Sequence, residues 1–228
     1  MKQTFLFLFI LLSQETFGTE LLNLKKQIIQ ISEQNMNRLD NFSVIRKKLD
    51  PLVKKLGQLQ SLTPEDSKKL KVGVWKQLWT DDADDLRANN RFQTAERDQT
   101  YQVVFADGVF YNLTVINTPI GPASGFLRGI YEQNKKAPEY LDLRFTSLRL
   151  KKGGLPSSSN DILDLTLDVE NGYQKTFSLP FGFDKYPNGP VGAKGDIKTV
   201  YIDQFLRIDV GRNQADQVED LFVLIKLY

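Results

Sequence analysis

Cysteine and histidine are both absent from the 228 residues of this sequence. Their absence excludes disulfide bonds, thiolate nucleophiles, histidine general bases and the ordinary Cys/His zinc sites. Proton transfer near neutral pH would fall to a carboxylate, a lysine or a tyrosine with a strongly shifted pKa. We therefore expect a protein that is not an enzyme and that holds no metal or other cofactor. A hydrolase that needs only two carboxylates is the less favoured alternative.

An excess of one charge is also lacking, because 30 Lys and Arg residues stand against 28 Asp and Glu residues and give a net charge of +2. The two signs are interspersed along the chain instead of forming blocks. Nucleic acid is therefore not an expected partner, since its phosphates require a basic patch or stripe. With 41% hydrophobic and 25% charged residues, the composition is that of one ordinary globular domain with modest additions.

The sequence also lacks an apolar run of the roughly 20 residues that a membrane-spanning helix needs. A shorter apolar run, residues 4–12, follows Lys2 and precedes a polar stretch that ends in small residues at Thr16 and Gly18. This order is typical of a secretory signal peptide. We therefore predict a signal peptide at residues 1–18 and export to a periplasm, a lumen or the extracellular space. The alternative is a buried or amphipathic N-terminal segment.

Helical patterns follow in residues 19–70. Apolar residues recur near helical spacing in residues 21–39, which predicts an amphipathic helix packed on the domain in preference to a coiled coil. A second helical pattern covers residues 43–56, where Asp50-Pro51 resembles a fresh N-cap followed by proline, so we expect a break or kink there. Residues 58–71 are polar and rich in turn residues, which predicts a connector.

Residues 71–228 show a different pattern, because apolar residues alternate with a period of two after Val72. Asp107-Gly108 and Asn171-Gly172 each separate two alternating segments, so we expect a β-hairpin with a type I′ turn at both places. The apolar phase shifts between Phe145 and Leu148, which predicts a bulge. The predicted strands are residues 73–80, 101–105, 109–115, 126–133, 140–150, 163–169, 173–179, 201–210 and 220–227.

An antiparallel meander of about eight or nine strands must cover its apolar face, either by closing into a barrel or by folding into a sandwich. About eight antiparallel strands close comfortably, and the interior is then just large enough to be filled by side chains or to hold one small ligand. We expect a mainly β protein with a closed antiparallel barrel behind an N-terminal helical segment. A hollow barrel would be a carrier, whereas a filled one would be a scaffold that binds protein or membrane by its surface.

Motifs at the two ends of the predicted barrel carry a family resemblance. Residues 71–80 read KVGVWKQLWT, residues 201–212 read YIDQFLRIDVGR, and residues 221–225 read LFVLI. They resemble the first strand, the closing motif and the last strand of the plastid lipid-associated proteins, also called fibrillins or plastoglobulins, with Trp79 in place of a usual tyrosine. Upstream, the leucine- and lysine-containing segments at 24–29 and 50–56 are similar to that family's helical lead-in.

This resemblance implies a lipocalin-like β-barrel at residues 71–228 that binds or organises lipids, quinones or other isoprenoid molecules at membrane or lipid-droplet surfaces. In lipocalins, the tryptophan of the G-x-W motif closes the barrel floor beneath an arginine from the last strands. By that analogy Gly73 and Trp75 would close the barrel under Arg207, in a cation–π contact worth about 0.5 to 2 kcal/mol. Plant members carry a Ser- and Arg-rich transit peptide, so export is favoured here and a plastid or thylakoid-associated location is the alternative.

Candidate ligand-binding residues come from the strand alternation and from the closing motif. Aromatic residues that we expect to face inward and line a cavity are Phe105, Tyr111, Phe126, Phe145 and Phe177, together with Leu165. Asp203 matches the family's carboxylate, and we expect it to orient the polar head of a ligand; its alternative role is in a turn or as a partner of Arg207. The expected partners are thus an apolar small molecule or lipid and a membrane surface contacted peripherally. The sequence leaves the oligomeric state open.

Other sequence signals are weaker. Sequons for N-glycosylation begin at Asn41 and Asn112, and chance is their default explanation. The acidic run at residues 81–85 lacks the glycine and the terminal glutamate of an EF-hand, so a solvated loop is favoured over a cation site. The glycine- and proline-rich residues 182–195 predict a long loop that could act as a flap at the barrel mouth.

Overall fold

The computed structural model describes residues 2–36, 41–61, 63–82, 94–118, 121–178, 182, 185–186, 189–213 and 217–227. Within these residues the chain forms four helices and eight strands. The helices are α1 (Lys2–Asn35), α2 (Phe42–Gln58), α3 (Pro64–Lys71) and α4 (Ser159–Glu170). The strands are β1 (Gly73–Thr80), β2 (Thr94–Val104), β3 (Val109–Thr118), β4 (Gly121–Gln133), β5 (Leu141–Lys152), β6 (Lys194–Ile202), β7 (Leu206–Asn213) and β8 (Glu219–Leu227).

The strands form a closed antiparallel barrel in which each strand pairs with its neighbours along the chain. Closure comes from the pairing of β1 with β8, which aligns Val74 with Leu227 and Thr80 with Phe222. The ring is narrowest in pairing between β5 and β6, where only residues 141–144 pair with residues 194–197. The predicted mainly β chain, with eight antiparallel strands in a closed ring behind an N-terminal helix, is confirmed.

The inner face of the barrel is identified by side chains from distant strands that meet one another. Trp75 of β1, Phe110 of β3, Ile202 of β6 and Leu224 of β8 belong to one buried cluster. Because these strands lie around the whole ring, their side chains can meet only inside it. Residues next to them in sequence point to the opposite face of each strand and therefore outward.

Helices α1 and α2 cover the outer face of the barrel at β6, β7 and β8. Helix α2 buries one stripe of side chains against outward-facing Ile208 and Val223. The stripe consists of Ile45, Leu49, Val53 and Leu56. The predicted break at Pro51 is wrong, because α2 continues through it. A proline inside a helix removes one backbone hydrogen bond, and the buried side chains on both sides of Pro51 hold the helix together.

Helix α4 stands where the sequence pattern predicted a second hairpin. The hydroxyl of Ser158 accepts a hydrogen bond from the backbone nitrogen of Asp161, which caps the start of the helix. Gly172, with a φ of +76°, follows the last turn, so Asn171-Gly172 ends a helix and does not turn a hairpin. The prediction of strands at residues 163–169 and 173–179 is therefore wrong.

The packing of α4 explains why alternation was misleading. The helix buries Ile162, Thr166 and Val169, which share one face at helical spacing. The alternating Leu163, Leu165 and Leu167 are partly buried or exposed. Buried Thr166 donates to the backbone oxygen of Ile162 at 2.7 Å and so satisfies its hydroxyl locally. Because polar Thr166 lies on the buried face, and Leu163, Leu165 and Leu167 lie outside it, the sequence alternates between apolar and polar residues as a strand would.

Two local features of the strands were also predicted. The hairpin at Asp107-Gly108 is present, but its turn has three residues: Phe105 N donates to Val109 O at 2.9 Å, and Gly108 alone in the turn has a positive φ, +91°. A type I′ turn needs two such residues, so that turn type is wrong. The bulge in β5 is confirmed, because Arg128 pairs with Ser147 and Gly129 with Phe145, which leaves Thr146 as the extra residue.

Helix α3 lies where the sequence predicted a connector. Thr63 caps its start by accepting a hydrogen bond from Asp66 N at 3.1 Å, and Pro64 occupies the first helical position. The helix ends at Lys71, directly before β1, so its last turn lies at one end of the barrel. This placement brings Lys71 against Tyr131, as described below.

Helix α1 includes the segment predicted to be a signal peptide. Among the described residues, no helix is both long enough and apolar enough to cross a membrane. The signal peptide at residues 1–18 and export by it stay predictions, as does the division into a lead-in at 19–70 and a barrel domain at 71–228.

Candidate functional site

Trp75 and Arg207 close one end of the barrel, and their side chains are 0% and 1% exposed. The guanidinium carbon of Arg207 lies 4.9 Å from the centroid of the Trp75 ring. Trp75 Nε1 donates to the backbone oxygen of Lys71 at 2.7 Å, which satisfies the indole. The predicted contact between Trp75 and Arg207 is thus confirmed. We call this end the floor and define it by Trp75, Phe110, Tyr131, Ile202, Arg207 and Leu224.

Gly73 makes room at the floor for a lysine. Its φ is +130°, and a side chain there would place Cβ 2.8 Å from Cε of Lys226. Glycine tolerates this conformation, whereas other residues rarely adopt it. Lys226 extends past Gly73, so that its Nζ lies 5.1 Å from the centroid of the Trp75 ring and donates to the backbone oxygen of Leu70 at 3.2 Å. The position therefore suits the structural role predicted for Gly73.

A buried polar cluster surrounds Arg207. Its Nε lies 2.9 Å from Oδ2 of Asp209, in an ion pair whose two side chains are each 1% exposed. Arg207 also donates through Nη2 to Oε1 of Gln102. The same oxygen of Gln102 accepts a hydrogen bond from the Tyr131 hydroxyl at 3.2 Å. Thr199 donates to Oδ1 of Asp209 at 2.7 Å. Removing two charges from water costs several kcal/mol per ion, so this cluster requires good pairing.

The pairing of Arg207 is incomplete. Among the described residues, its Nη1 has no hydrogen-bond partner. The contact between its Nε and Asp209 is close, but neither atom makes an aligned hydrogen bond. A buried donor without a partner costs about 1 to 3 kcal/mol and is uncommon in native proteins. The unpaired guanidinium nitrogen is therefore a candidate ligand contact.

Lys71 adds a second buried cation to the floor. It is 4% exposed, and its Nζ lies 5.7 Å from the centroid of the Tyr131 ring. Burial lowers the pKa of Lys71 from its ordinary value of 10.5 to about 8; the charge of Asp209 works against this and that of Arg207 adds to it. Burial and Arg207 also lower the pKa of Lys226. Burial raises the pKa of the Tyr131 hydroxyl, which keeps it a neutral donor.

Above the floor, some of the inward-facing side chains are partly accessible. The floor residues Trp75 and Ile202 are fully buried, whereas several side chains that face inward further along the strands are only partly buried. These are Asn112, Thr114, Leu127, Phe145, Leu148, Thr199 and Phe222. They combine an apolar wall with a few hydroxyl and amide groups. Asn112 faces inward, where its Oδ1 accepts from Nε2 of Gln102 at 2.8 Å, so the sequon there is turned into the barrel.

The predicted cavity residues divide between the two faces of the barrel. Phe145 faces inward and lies 5.8 Å from Phe110 between ring centroids. Tyr111 and Phe126 face outward, where they pack under α4 with Ile162. Phe105 packs in that same outer cluster, and so does Leu165 of the helix itself. The prediction that these residues face inward is wrong for Phe105, Tyr111, Phe126 and Leu165.

Tyr111 instead holds α4 against the barrel. Its hydroxyl donates to a carboxylate oxygen of Glu170, which also pairs with Nε of Arg128 at 3.3 Å. Arg149 donates to the backbone oxygen of Val169 at 2.6 Å and so binds the carboxyl end of the helix. Burial and the Glu170 carboxylate raise the pKa of Tyr111. This contact replaces the ligand contact predicted for Tyr111.

Phe177 lies at the rim and Asp203 lies outside the interior. Phe177 is 39% exposed and pairs with inward-facing Leu150 across an antiparallel bridge, so its side chain is on the inner face at the rim of β5, as predicted. Asp203 lies in the turn between β6 and β7, where Lys25 of α1 donates to its Oδ2. The same oxygen accepts from Tyr201 at 2.8 Å, and Oδ1 accepts from the backbone nitrogens of Phe205 and Leu206, each at 2.8 Å. The alternative role of Asp203 as a turn residue is the one observed, but with Lys25 as its partner in place of Arg207.

Asp203 therefore joins α1 to the barrel. Burial alone would raise its pKa, but the hydrogen bonds from Lys25, the backbone and Tyr201 outweigh burial and hold the pKa below its ordinary value. We expect Asp203→Ala to lower the free energy of unfolding by about 1 to 2 kcal/mol, because a charge-assisted contact and two turn hydrogen bonds are lost. Urea unfolding at pH 7 measures this change. Glu132→Ala, an exposed change on β4, is the control, and an equal loss in both variants would contradict the assignment.

Sequence reasoning missed Lys71, Gln102 and Asp209 as site residues. Residues two positions apart on a strand share a face. Because Arg207 faces inward, so does Asp209, and because Val104 faces inward, so does Gln102. Lys71 had no such signal, because it ends a helix that the sequence pattern did not predict. Among the described residues, no group of three or more acidic side chains could hold a metal ion.

Comparison with family models, with curated proteins and with solved structures finds no match to this chain. The resemblance to plastid lipid-associated proteins therefore stays a prediction that rests on the terminal motifs.

Proposed function

We propose that this chain is a non-enzymatic, lipocalin-like protein that binds an apolar small molecule, such as a lipid, a quinone or another isoprenoid, inside its barrel. The observation that carries the proposal is the accessibility of inward-facing side chains. Leu127, Leu148 and Phe222 point into a closed ring of strands and are still only partly buried. Trp75 and Ile202, which face inward at the floor, are fully buried, and packing as tight as theirs along the whole interior would leave no room for a ligand.

The wall chemistry supports an elongated and largely apolar ligand. Leu127 of β4 pairs with Leu148 of β5, so their side chains lie next to each other on the inner face. Leu148 continues toward the rim into a cluster with Ile116 and Leu150. Burying an apolar ligand against this wall gains about 25 cal/mol for each Å² of apolar surface removed from water. We place the ligand tail along β4 and β5.

The direction of entry follows from the closed floor. Trp75, Arg207 and the last turn of α3 obstruct one end of the barrel. A ligand would thus enter at the opposite end, where β1, β3 and β5 finish and β4 begins. Entry from that end would suit a protein that takes its ligand from a membrane or lipid-droplet surface by peripheral contact.

A carboxylate-based hydrolase is the weaker candidate. Such a site needs two acidic side chains across a shared space. Asp209 is the only buried carboxylate among the described residues, and it is already paired with Arg207 and Thr199. We therefore favour ligand binding over catalysis as the function of the barrel.

Filling the interior should weaken binding. We expect Leu148→Trp to weaken binding of the fluorescent apolar probe N-phenyl-1-naphthylamine by at least about tenfold, because the indole would occupy space that the probe needs. Each CH₂ group that the probe can no longer bury costs about 0.8 kcal/mol, so losing two of them already accounts for this change. Arg144→Trp is the matched control, because Arg144 lies on the same strand and is exposed. The measurement is a fluorescence titration of purified protein at pH 7, with circular dichroism to verify the fold.

Two further results would separate the carrier from a scaffold. Mass spectrometry of solvent extracts from gently purified protein should recover an apolar molecule in amounts close to that of the protein. A barrel that never yields such a molecule, and that binds the probe equally well in both tryptophan variants, would overturn the proposal and favour surface binding of protein or membrane.

A further inference from the structure

The floor of the barrel carries more positive than negative charge. Lys71, Arg207 and Lys226 all contact the aromatic rings of Trp75 or Tyr131. Asp209 is the single carboxylate that faces them among the described buried residues. Lysine is almost never fully buried without a partner, and a buried cation needs compensation. One carboxylate cannot neutralise this group, so the floor attracts an anion.

Arg207 has the atom that would receive this anion. Its Nη1 lacks a hydrogen-bond partner within the described chain, although its side chain is 1% exposed. Its Nη2 donates to the uncharged amide oxygen of Gln102. A guanidinium presents its donors in a planar fork that matches a carboxylate in geometry, and such charge-assisted hydrogen bonds are about twice as strong as neutral ones. The present partner of Nη2 is therefore weaker than an anionic oxygen would be.

Gln102 links this buried arginine to the accessible interior. Its Oε1 faces Arg207 and Tyr131, and its Nε2 donates to Asn112, which is partly accessible. A rotation of this one neutral side chain would open Arg207 to the space above the floor. No ionised group has to leave the cluster for that to occur.

We propose that the ligand of this barrel is an amphipathic carboxylic acid whose carboxylate is held at the floor by Arg207 and Lys71 and whose apolar tail runs along β4 and β5. This inference rests on the binding function proposed above and adds the chemical class of the ligand. The excess of cations over Asp209 supplies the charge, the unpaired Nη1 supplies the donor, and Leu127 and Leu148 supply the apolar wall. Gln102 and the Tyr131 hydroxyl complete the polar surroundings.

The charge state of Lys71 gives the inference a pH signature. The groups that face Lys71 are Asp209, Arg207 and Tyr131. Lys226, beside the Trp75 ring, also has a pKa lowered by burial and by Arg207. A pKa of about 8 for Lys71 means that the lysine loses its charge in mildly alkaline solution. Binding of an anion should therefore weaken as the pH rises through 8, while binding of an uncharged ligand should not.

The test compares dodecanoic acid with dodecanol, which share the tail and differ in charge. We expect isothermal titration calorimetry of the full chain, stripped of lipid, to give about a 10- to 100-fold tighter binding of the acid at pH 7. At pH 9.5 this preference should fall several-fold. Lys71→Met should reduce binding of the acid about tenfold at pH 7 and leave binding of the alcohol unchanged.

Lys69→Met is the matched control, because Lys69 lies on the same helix and its side chain is 69% exposed. It should keep the preference for the acid and its pH dependence. If acid and alcohol bind equally well, or if both lysine variants behave alike, the carboxylate assignment is wrong while the proposed binding function stands. If neither compound binds and the naphthylamine probe also fails, it is the binding function itself that is wrong.

Discussion

Replacing Arg207 by methionine should lower the free energy of unfolding by about 3 to 5 kcal/mol, since it leaves the carboxylate of Asp209 buried and unpaired. Asp209 is 1% exposed and, among the described residues, would keep the hydrogen bond from Thr199 and the more distant charge of Lys71. The methionine side chain fills most of the volume beside the Trp75 ring, so the loss comes mainly from the stranded charge. Equilibrium unfolding in guanidinium chloride at pH 7 measures the change.

The double variant Arg207→Met, Asp209→Leu separates charge from packing. Removing both partners of a buried ion pair is often neutral for stability, in contrast to removing one. We expect the double variant to recover most of the stability lost in the single variant. A double variant as unstable as Arg207→Met would show that the contact with Trp75, and not the ion pair, dominates. That contact alone should be worth about 0.5 to 2 kcal/mol.

The closed ring of strands was predictable because its signals are local. The hairpin at Asp107-Gly108 and the phase shift in β5 each reflect a backbone geometry fixed by a few neighbouring residues. The contact between Trp75 and Arg207 joins residues far apart in sequence, and it was accessible only through the resemblance of the two terminal motifs. Helix α4 was not predictable from alternation, although Ser158 and Asp161 already form a capping pattern in the sequence.

The assignment of inner and outer faces failed for a physical reason. Alternation separates the two faces of a strand, but it identifies the inner one only when the outer one is polar. Here α4 covers the outer face at Leu113 and Phe126, and α1 and α2 cover it at Val223. Both faces of these strands are therefore apolar, and the aromatic residues of β3 and β4 were assigned to the wrong side. A helix packed outside the barrel had to be known before the cavity residues could be chosen.

Asp203 shows the same dependence on elements distant in sequence. The carboxylate was singled out correctly as a paired polar group, but its partner Lys25 belongs to α1, 178 positions earlier. Nothing in the spacing of the two residues indicates that α1 packs near the turn between β6 and β7. The buried charges of the site are Arg207 and Asp209 on β7 and Lys71 at the end of α3. The first two follow from the inward phase of β7, and the third follows from where α3 ends.

Lys71 should add about 2 kcal/mol to the free energy of unfolding between pH 8 and pH 10, which is opposite to the usual loss in alkaline solution. The pKa of Lys71 is about 8 in the folded state against an ordinary value of 10.5. Between these values the unfolded chain binds the proton and the folded chain does not, so the free energy of unfolding increases with pH. Below pH 8 both states are protonated and Lys71 contributes no slope.

Tyrosines limit this rise at its upper end. Burial raises the pKa of Tyr111, Tyr131 and Tyr201 above the ordinary value of 10. From about pH 9 upward these groups begin to ionise in the unfolded chain but not in the folded one, which favours unfolding. The curve of stability against pH should therefore have its maximum at about pH 9.5. Urea unfolding followed by circular dichroism at intervals of half a pH unit measures it.

Lys71→Met identifies the residue responsible for the rise. Without Lys71, most of the rise above pH 8 should disappear, although Lys226 keeps a small contribution because its pKa is also lowered. The curve should still fall toward pH 10 and above, since the tyrosines are unchanged. At pH 7 the variant should be at least as stable as the native chain, because it buries a methyl group where the native chain buries a charge. Lys69→Met, with its exposed side chain, should keep the native curve. A native curve that is flat through pH 8 would mean that Lys71 reaches water in solution, and Arg207 would then be the one buried cation that the described residues leave at the floor to hold an acid.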